Sequence, residues 1–106
     1  IRDYIHVSDL ADIHLKTLKK IIKTKKSLIL NCGYGKGYSV KEILDIFKLL
    51  KKDVIVQYQK RRAGDIAQIY ADTKKIKKNL NWKPKFNDIK KILISAISWE
   101  KKLKKI

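Results

Sequence analysis

The residues best suited to chemistry sit in one short stretch, Arg61-Arg62-Ala63-Gly64-Asp65. Of the 27 basic residues in the chain only three are arginine, at positions 2, 61 and 62, against a background that is otherwise lysine. A guanidinium presents a rigid, bidentate fork for phosphate that a lysine ammonium cannot copy. Anion recognition is therefore expected at the three arginines. Gly64 lets the backbone approach a ligand closely or adopt a positive φ, and Asp65 adds a carboxylate able to accept from a pair of sugar hydroxyls. Two phosphate forks and a ribose acceptor in one bend suggest a nucleotide site. Taken alone, the same residues also describe a polar surface turn.

Other patterns carry less. Asp3, His6, Asp9 and Asp12 recur every third residue, as a metal set could. Only part of that series falls on a helix, and a three-residue repeat drifts around it, so capping and surface roles are expected instead. Gly33, Gly35 and Gly37 alternate between a strand and a helix. Their spacing fits neither G-x-G-x-x-G nor G-x-x-x-x-G-K-[ST], so a tight strand-to-helix turn is the first reading and phosphate binding the second. Tyr70 and Lys74 have the spacing of a tyrosine–lysine oxidoreductase pair. That chemistry needs both side chains on one face of one helix, where the ammonium lowers the tyrosine pKa. Asp72 reads as the N-cap of the next helix, which leaves Tyr70 outside it and makes the pair a decoy.

The elements that must position these residues follow from periodicity. Arg2 to Val7 alternates as a short strand, with Ser8 or Asp9 placed to cap a helix from Asp9 to about Lys23. Ala11, Leu15, Leu18 and Ile22 fall on one face of that helix, the face expected to pack on a sheet. Ser27–Asn31 reads as a brief buried strand and Val54–Tyr58 as the clearest strand of the chain. Ser39-Val40-Lys41-Glu42 forms a capping box that opens a helix with Val40, Ile43, Leu44, Phe47 and Leu50 as its stripe. A short helix is expected from Thr73 to Leu80, closed before Pro84. A last helix runs from about Asp88 to Lys105, with Ile89, Ile92, Leu93, Ala96, Trp99 and Leu103 on one face and Trp99 buried on the sheet. Alternating strands and helices indicate an α/β unit with a small, partly parallel sheet.

At 106 residues the chain can bury one modest core. It begins at Ile1 with a strand-like run almost at once, which suggests a fragment. The net charge of +17 raises nucleic acid or an anionic membrane as partners. The lysines are spread along nearly every segment, however, so a basic nucleic-acid-binding module is the minority reading. No apolar run is long enough to span a bilayer, and no signal peptide is visible. The single cysteine, Cys32, fits a reducing compartment such as the cytoplasm.

Five ordered motifs carry a resemblance across essentially the whole chain. They are Arg2-Asp3-Tyr4-Ile5-His6-Val7 with Asp9-Leu10-Ala11; Asn31-Cys32-Gly33 with Gly35 and Gly37-Tyr38-Ser39-Val40; Arg61-Arg62-Ala63-Gly64-Asp65; Tyr70-Ala71-Asp72; and Leu80-Asn81-Trp82. Together they resemble the C-terminal portion of the UDP-glucose 4-epimerases, isomerases of the extended short-chain dehydrogenase/reductase family. The resemblance implies a small C-terminal substrate-binding domain whose Rossmann core, with bound NAD and the catalytic residues, lies upstream and is absent here. It implies that the complete enzyme, a homodimer, interconverts UDP-glucose and UDP-galactose in galactose metabolism, taking hydride from the sugar C4 to NAD and returning it to the other face. By the same resemblance Arg2 and Arg62 grip the diphosphate, Tyr4 lines the pocket beside them, and Asp65 accepts from the ribose hydroxyls. Ile69 occupies a position whose size sets the room for an N-acetyl group, and being neither small nor aromatic it leaves open another UDP-hexose such as UDP-N-acetylglucosamine. A fragment of this kind is expected to be inactive alone.

Overall fold

The computed structural model describes residues 1–50 and 56–104. Its regular elements are helices: α1 (Val7–Thr24), α2 (Val40–Leu49), α3 (Lys74–Asn79) and α4 (Ile89–Leu103). Among the described residues no helix is long and apolar enough to cross a membrane. The helix starts follow local chemistry. Ser39 Oγ accepts from the Glu42 amide at 3.1 Å, and Asp88 Oδ1 accepts from the Lys90 and Lys91 amides at 3.0 and 3.3 Å. Both are the side-chain caps that first-turn amides require. Helix α1 starts two residues earlier than expected because His6 is its cap, with Nδ1 accepting from the Ser8 amide at 3.0 Å. That relieves Ser8 and Asp9 of the capping role.

The expected strands are not assembled into a sheet among the described residues, where one antiparallel bridge joins Arg2 to Tyr38 at 2.9 and 2.8 Å. A strand persists only with a ladder partner. Ser27–Asn31 has the exposure alternation of a strand, with Leu28 and Leu30 half-buried and Ile29 82% exposed, but pairs with nothing described. Of the expected strand 54–58, residues 54 and 55 lie outside the described residues, and 56–58 are exposed and irregular.

Two helix faces also depart from expectation. The α1 stripe of Leu15, Leu18 and Ile22 is exposed. The buried face of α1 carries Asp9 and Ile13 instead, and packs toward Ile76 and Leu80 of the α3 segment. Lys16 and Lys20 extend their stems along this face to the carbonyls of Asn81 and Asn79. On α4 only Leu93 is fully buried, while Trp99 is 57% exposed, so the burial energy expected of that indole is not realised within this unit. The core proper is Ile13, Ile76, Leu80 and Trp82, with Ile5, Leu30, Cys32 and Tyr34 packed against it. The radius of gyration is 16.6 Å, against about 13 Å for a compact chain of this length.

With so small a core, two carboxylates tie the irregular segments together. Asp9, 1% exposed, accepts from the Tyr34 hydroxyl at 2.6 Å and from the amides of Lys85 and Phe86 at 3.0 Å each. The Tyr34 oxygen in turn accepts from the His6 amide at 3.1 Å, and the His6 ring stacks on Phe86 at 4.6 Å. Asp3 accepts from the amides of Tyr34, Gly35 and Ala71 at 3.1, 2.9 and 3.2 Å. The glycine loop is shaped by this second carboxylate. A Cβ on Gly33 would lie 2.4 Å from Asp3 Oδ2 and 2.9 Å from the Ala71 Cβ, and one on Gly37 would lie 2.3 Å from Ile1 Cγ2. The glycines therefore make room for residues 1 and 3, and the phosphate-cradle reading of the loop gives way to a packing one.

Burial alone would raise the Asp9 pKa. The Tyr34 hydroxyl, the two backbone amides and nearby His6 outweigh it and hold the carboxyl below its ordinary value. A depressed folded-state pKa gives stability that is present above the unfolded value and is lost as pH falls through the folded one. Acid titration followed by circular dichroism should therefore show a loss of stability setting in below about pH 4, and Asp9→Asn should flatten that acid limb. Removing the acceptor strands several buried donors, so Asp9→Ala should cost on the order of 3 kcal/mol in urea denaturation at pH 7. Gly33→Ala should cost about 2 kcal/mol or more, because the carboxylate it strikes is pinned by three amides. Gly64→Ala is the control: φ is +83° and nothing lies within 4 Å of the added methyl, so only the conformational cost of about 1 kcal/mol remains.

Candidate functional site

The Arg61–Asp65 bend is a tight turn in which the Asp65 amide donates to the Arg62 carbonyl at 3.2 Å, with Gly64 at φ +83°. Arg62 Nε donates to Asp65 Oδ2 at 3.1 Å, and the Arg62 side chain is 86% exposed. An exposed pair of this kind contributes little stability, but it fixes where the guanidinium points. The bond runs through Nε and leaves the other guanidinium donors uncommitted to Asp65, and a carboxylate can accept from more than one donor.

Arg2 reaches this neighbourhood through the backbone. The Ile1 nitrogen donates to the Ala67 carbonyl at 2.9 Å, and the Ile69 amide donates to the Ile1 carbonyl at 3.0 Å. Residue 1 is thus stitched to the segment that leaves the Arg61–Asp65 turn. Asp65 is two residues from Ala67, a span of at most about 7 Å. Arg2 Nη1 donates to the same Ile1 carbonyl at 2.9 Å. Arg2 and Ile69 line one open cleft of about 470 Å³, together with Asp3, Asn31, Cys32 and Tyr70. Its volume lies in the range of small-molecule sites. Tyr4 is half-buried two residues on, and neither it nor Arg62 nor Asp65 lines that cleft. The structure therefore brings together Arg2 with Ile69, and Arg62 with Asp65, as two separate pairs.

Other chemical candidates are settled by geometry. Tyr70 precedes α3 while Lys74 is its first residue, so the two do not share a helix face. Asp3 and Asp9 accept from backbone amides and from the two ends of Tyr34, His6 Nδ1 caps α1, and Asp12 lies 3.6 Å from Lys16 Nζ. Among the described residues no three His, Cys, Asp or Glu side chains are grouped to hold a metal. Burial pushes the Cys32 thiol up, away from the thiolate form a nucleophile needs. Burial and the bond to Asp9 push Tyr34 up to about 12, so it stays a hydroxyl donor. Sequence reasoning missed Asp3, Asp9 and Tyr34 as organising residues. The available signal was Asp3 lying between two site candidates, with Tyr34 flanked by glycines.

No protein-family model matches the chain. Over 102 residues it is 46% identical to the putative UDP-arabinose 4-epimerase 2 of Arabidopsis thaliana, covering 95% of this chain and 24% of that protein. Over 104 residues it is 42% identical to the UDP-glucose 4-epimerase of Azospirillum brasilense, covering 97% and 30% respectively. The solved structure of the UDP-Glc/GlcNAc 4-epimerase from Campylobacter jejuni superposes with a TM-score of 0.81 at 41% identity. A UDP-glucose 4-epimerase crystal structure superposes at 0.84 and 39%. Both structural matches cover 96% of this chain and 31% of the other. The chain spans a quarter to a third of the length of the relatives it matches. Likeness in sequence and likeness in backbone thus coincide over nearly every residue, and the chain is homologous to the C-terminal portion of the UDP-sugar 4-epimerase family.

Proposed function

We propose that this chain is the substrate-binding part of an NAD-dependent UDP-hexose 4-epimerase acting on UDP-glucose and UDP-galactose. Arg2 and Arg62 hold the diphosphate, Asp65 accepts from the ribose hydroxyls, Tyr4 supports the pocket beside Arg2, and Ile69 bounds the space for the hexose. The observation that carries the reading is the pair of backbone bonds from Ile1 to Ala67 and Ile69. They hold the segment that leaves the Arg61–Asp65 turn against residue 1, next to Arg2 and a cleft of ligand size, which supports a shared role for the two arginines. A pyrophosphate bridging two guanidinium forks gains charge-assisted bonds at both ends.

The residues present do not fit NAD. The one glycine-rich loop packs on Ile1 and Asp3, and its Tyr34 and Gly35 amides are already given to Asp3 rather than to a dinucleotide. In this reading NAD and the groups that move hydride and proton belong to an N-terminal Rossmann domain, and this chain binds and orients the substrate. Its own surface supports a covering partner. Val7, Leu15, Leu18 and Ile22 of α1 are exposed, as is Ile29. Such a stripe on a unit of 16.6 Å radius of gyration is what remains when a neighbouring domain is lifted away.

The test is calorimetric titration of the full-length polypeptide with UDP. Arg62→Ala should weaken binding about 10- to 100-fold, the loss expected when a charged hydrogen-bonding group is removed. Binding of UDP unaltered by that change would remove Arg62 from the site and the reading with it.

A further inference from the structure

We infer that Asp3 is a positioning residue for nucleotide-diphosphate binding, acting through Arg2. The inference rests on the reading of Arg2 as a phosphate ligand and adds to it the device that holds the guanidinium in place. Asp3 is not available as a ligand itself. Its Oδ1 accepts from the Tyr34 amide at 3.1 Å, and its Oδ2 accepts from the Gly35 and Ala71 amides at 2.9 and 3.2 Å. Three of the four acceptor directions of a carboxylate are thus engaged. The negative charge, which would repel a phosphate nearby, is held against backbone dipoles.

The position of Arg2 depends on this clamp by a short chain of contacts. Arg2 Nη1 donates to the Ile1 carbonyl at 2.9 Å, and the same carbonyl accepts from the Ile69 amide at 3.0 Å. The carbonyl belongs to Arg2's own neighbour, and its direction is fixed by the Ile69 amide while the 69–71 segment lies against residues 1–3. The Asp3 bond to Ala71 holds one end of this contact, and the bonds of Ile1 to Ala67 and Ile69 hold the other. The Arg2 backbone is closed on the opposite side by its two bonds to Tyr38, which leads out of the glycine loop that Asp3 also grips. The bare Cα of Gly33 belongs to the same arrangement, since any side chain there would strike the carboxylate at 2.4 Å. Without the carboxylate, the wall of the cleft formed by residues 69–71 can part from Arg2, and the fork loses its fixed direction. A fork held in place loses less freedom when it binds than one that must be ordered on arrival.

A double-mutant cycle on the full-length polypeptide separates positioning from general support of the fold. UDP affinity is measured calorimetrically for the parent, Asp3→Asn, Arg2→Lys and the double variant, with urea denaturation of each as the control for folding. Arg2→Lys retains the charge and removes the fork. Asp3→Asn should weaken UDP about 10-fold, and in the Arg2→Lys background the same change should have little further effect, because coupled residues are non-additive. Gly33→Ala displaces the same carboxylate sterically and should reproduce the loss. Parent-like affinity in folded Asp3→Asn, or the same loss in both backgrounds, overturns the inference and leaves the arginine reading intact. Loss of the folded state in both Asp3→Asn and Gly33→Ala also overturns it, since the carboxylate would then support the fold as a whole. A parent that fails to bind UDP removes the functional reading itself.

Discussion

Backbone amides gathered by two carboxylates are the constraint on which this structure depends. Irregular segments leave donors that no ladder satisfies, and each one buried without a partner costs about 1–3 kcal/mol. Asp9 and Asp3 resolve that problem for the segments around residues 34–35, 71 and 85–86. Tyr34 belongs to both centres, giving its amide to Asp3 and its hydroxyl to Asp9. The start of α1, the glycine loop and the strand-like residues 1–3 are consequently one connected body, and the cleft beside Arg2 is a feature of that body.

The choice of partner matters in a chain of net charge +17. With 27 basic and 10 acidic residues a carboxylate can readily find a lysine, yet among the described residues Asp3 and Asp9 are paired with amides and a phenol. An amide donor is already fixed by the backbone and carries no side-chain entropy to lose, whereas a lysine partner must be ordered and is screened by salt. Lysine is used elsewhere in a different way, with Lys16 and Lys20 donating to carbonyls at the end of α3 and just beyond it. For these two lysines the charge serves local helix-end chemistry.

What the sequence made legible was local. The Ser39 cap follows from hydroxyl placement before an apolar run and formed as expected, while Asp88, read only as the approximate start of the last helix, proves to be its cap. The exclusion of Tyr70 from α3 rested on Asp72 as the N-cap; the cap position falls one residue later, at Thr73, while Asp72 Oδ1 accepts from the Lys74 amide at 3.0 Å and Tyr70 stays outside the helix. The face of α1 was misassigned because periodicity reports that a stripe will be covered without saying by what. Leu15, Leu18 and Ile22 are apolar at helical spacing, but the face buried within this unit is the one holding Asp9 and Ile13. Trp99 and the strand-like Ser27–Asn31 fail for the same reason, their pattern asking for cover or pairing that nothing among the described residues supplies. The Arg61–Asp65 bend was readable because arginine is rare here; the Asp3 clamp was not, since one aspartate in an extended run looks like any surface acid.

The separation of roles between carboxylates and arginines bears on how a nucleotide site can exist at this margin. Asp65 lies beside Arg62 and Asp3 adjoins Arg2, so each proposed phosphate fork has an acid close at hand. An acid that neutralised its arginine fully would compete with the ligand. Asp3 avoids this by turning to three amides, and the Arg2 guanidinium bonds a neutral carbonyl. The bond from Arg62 to Asp65 runs through Nε, so it does not use the other guanidinium donors. Acid and guanidinium are then adjacent without cancelling, the acid setting direction and the guanidinium keeping its charge for an anion. Substituting lysine for Arg62 would weaken this division of labour, because the three donors of an ammonium all sit on one nitrogen, which would have to meet acid and anion at the same point.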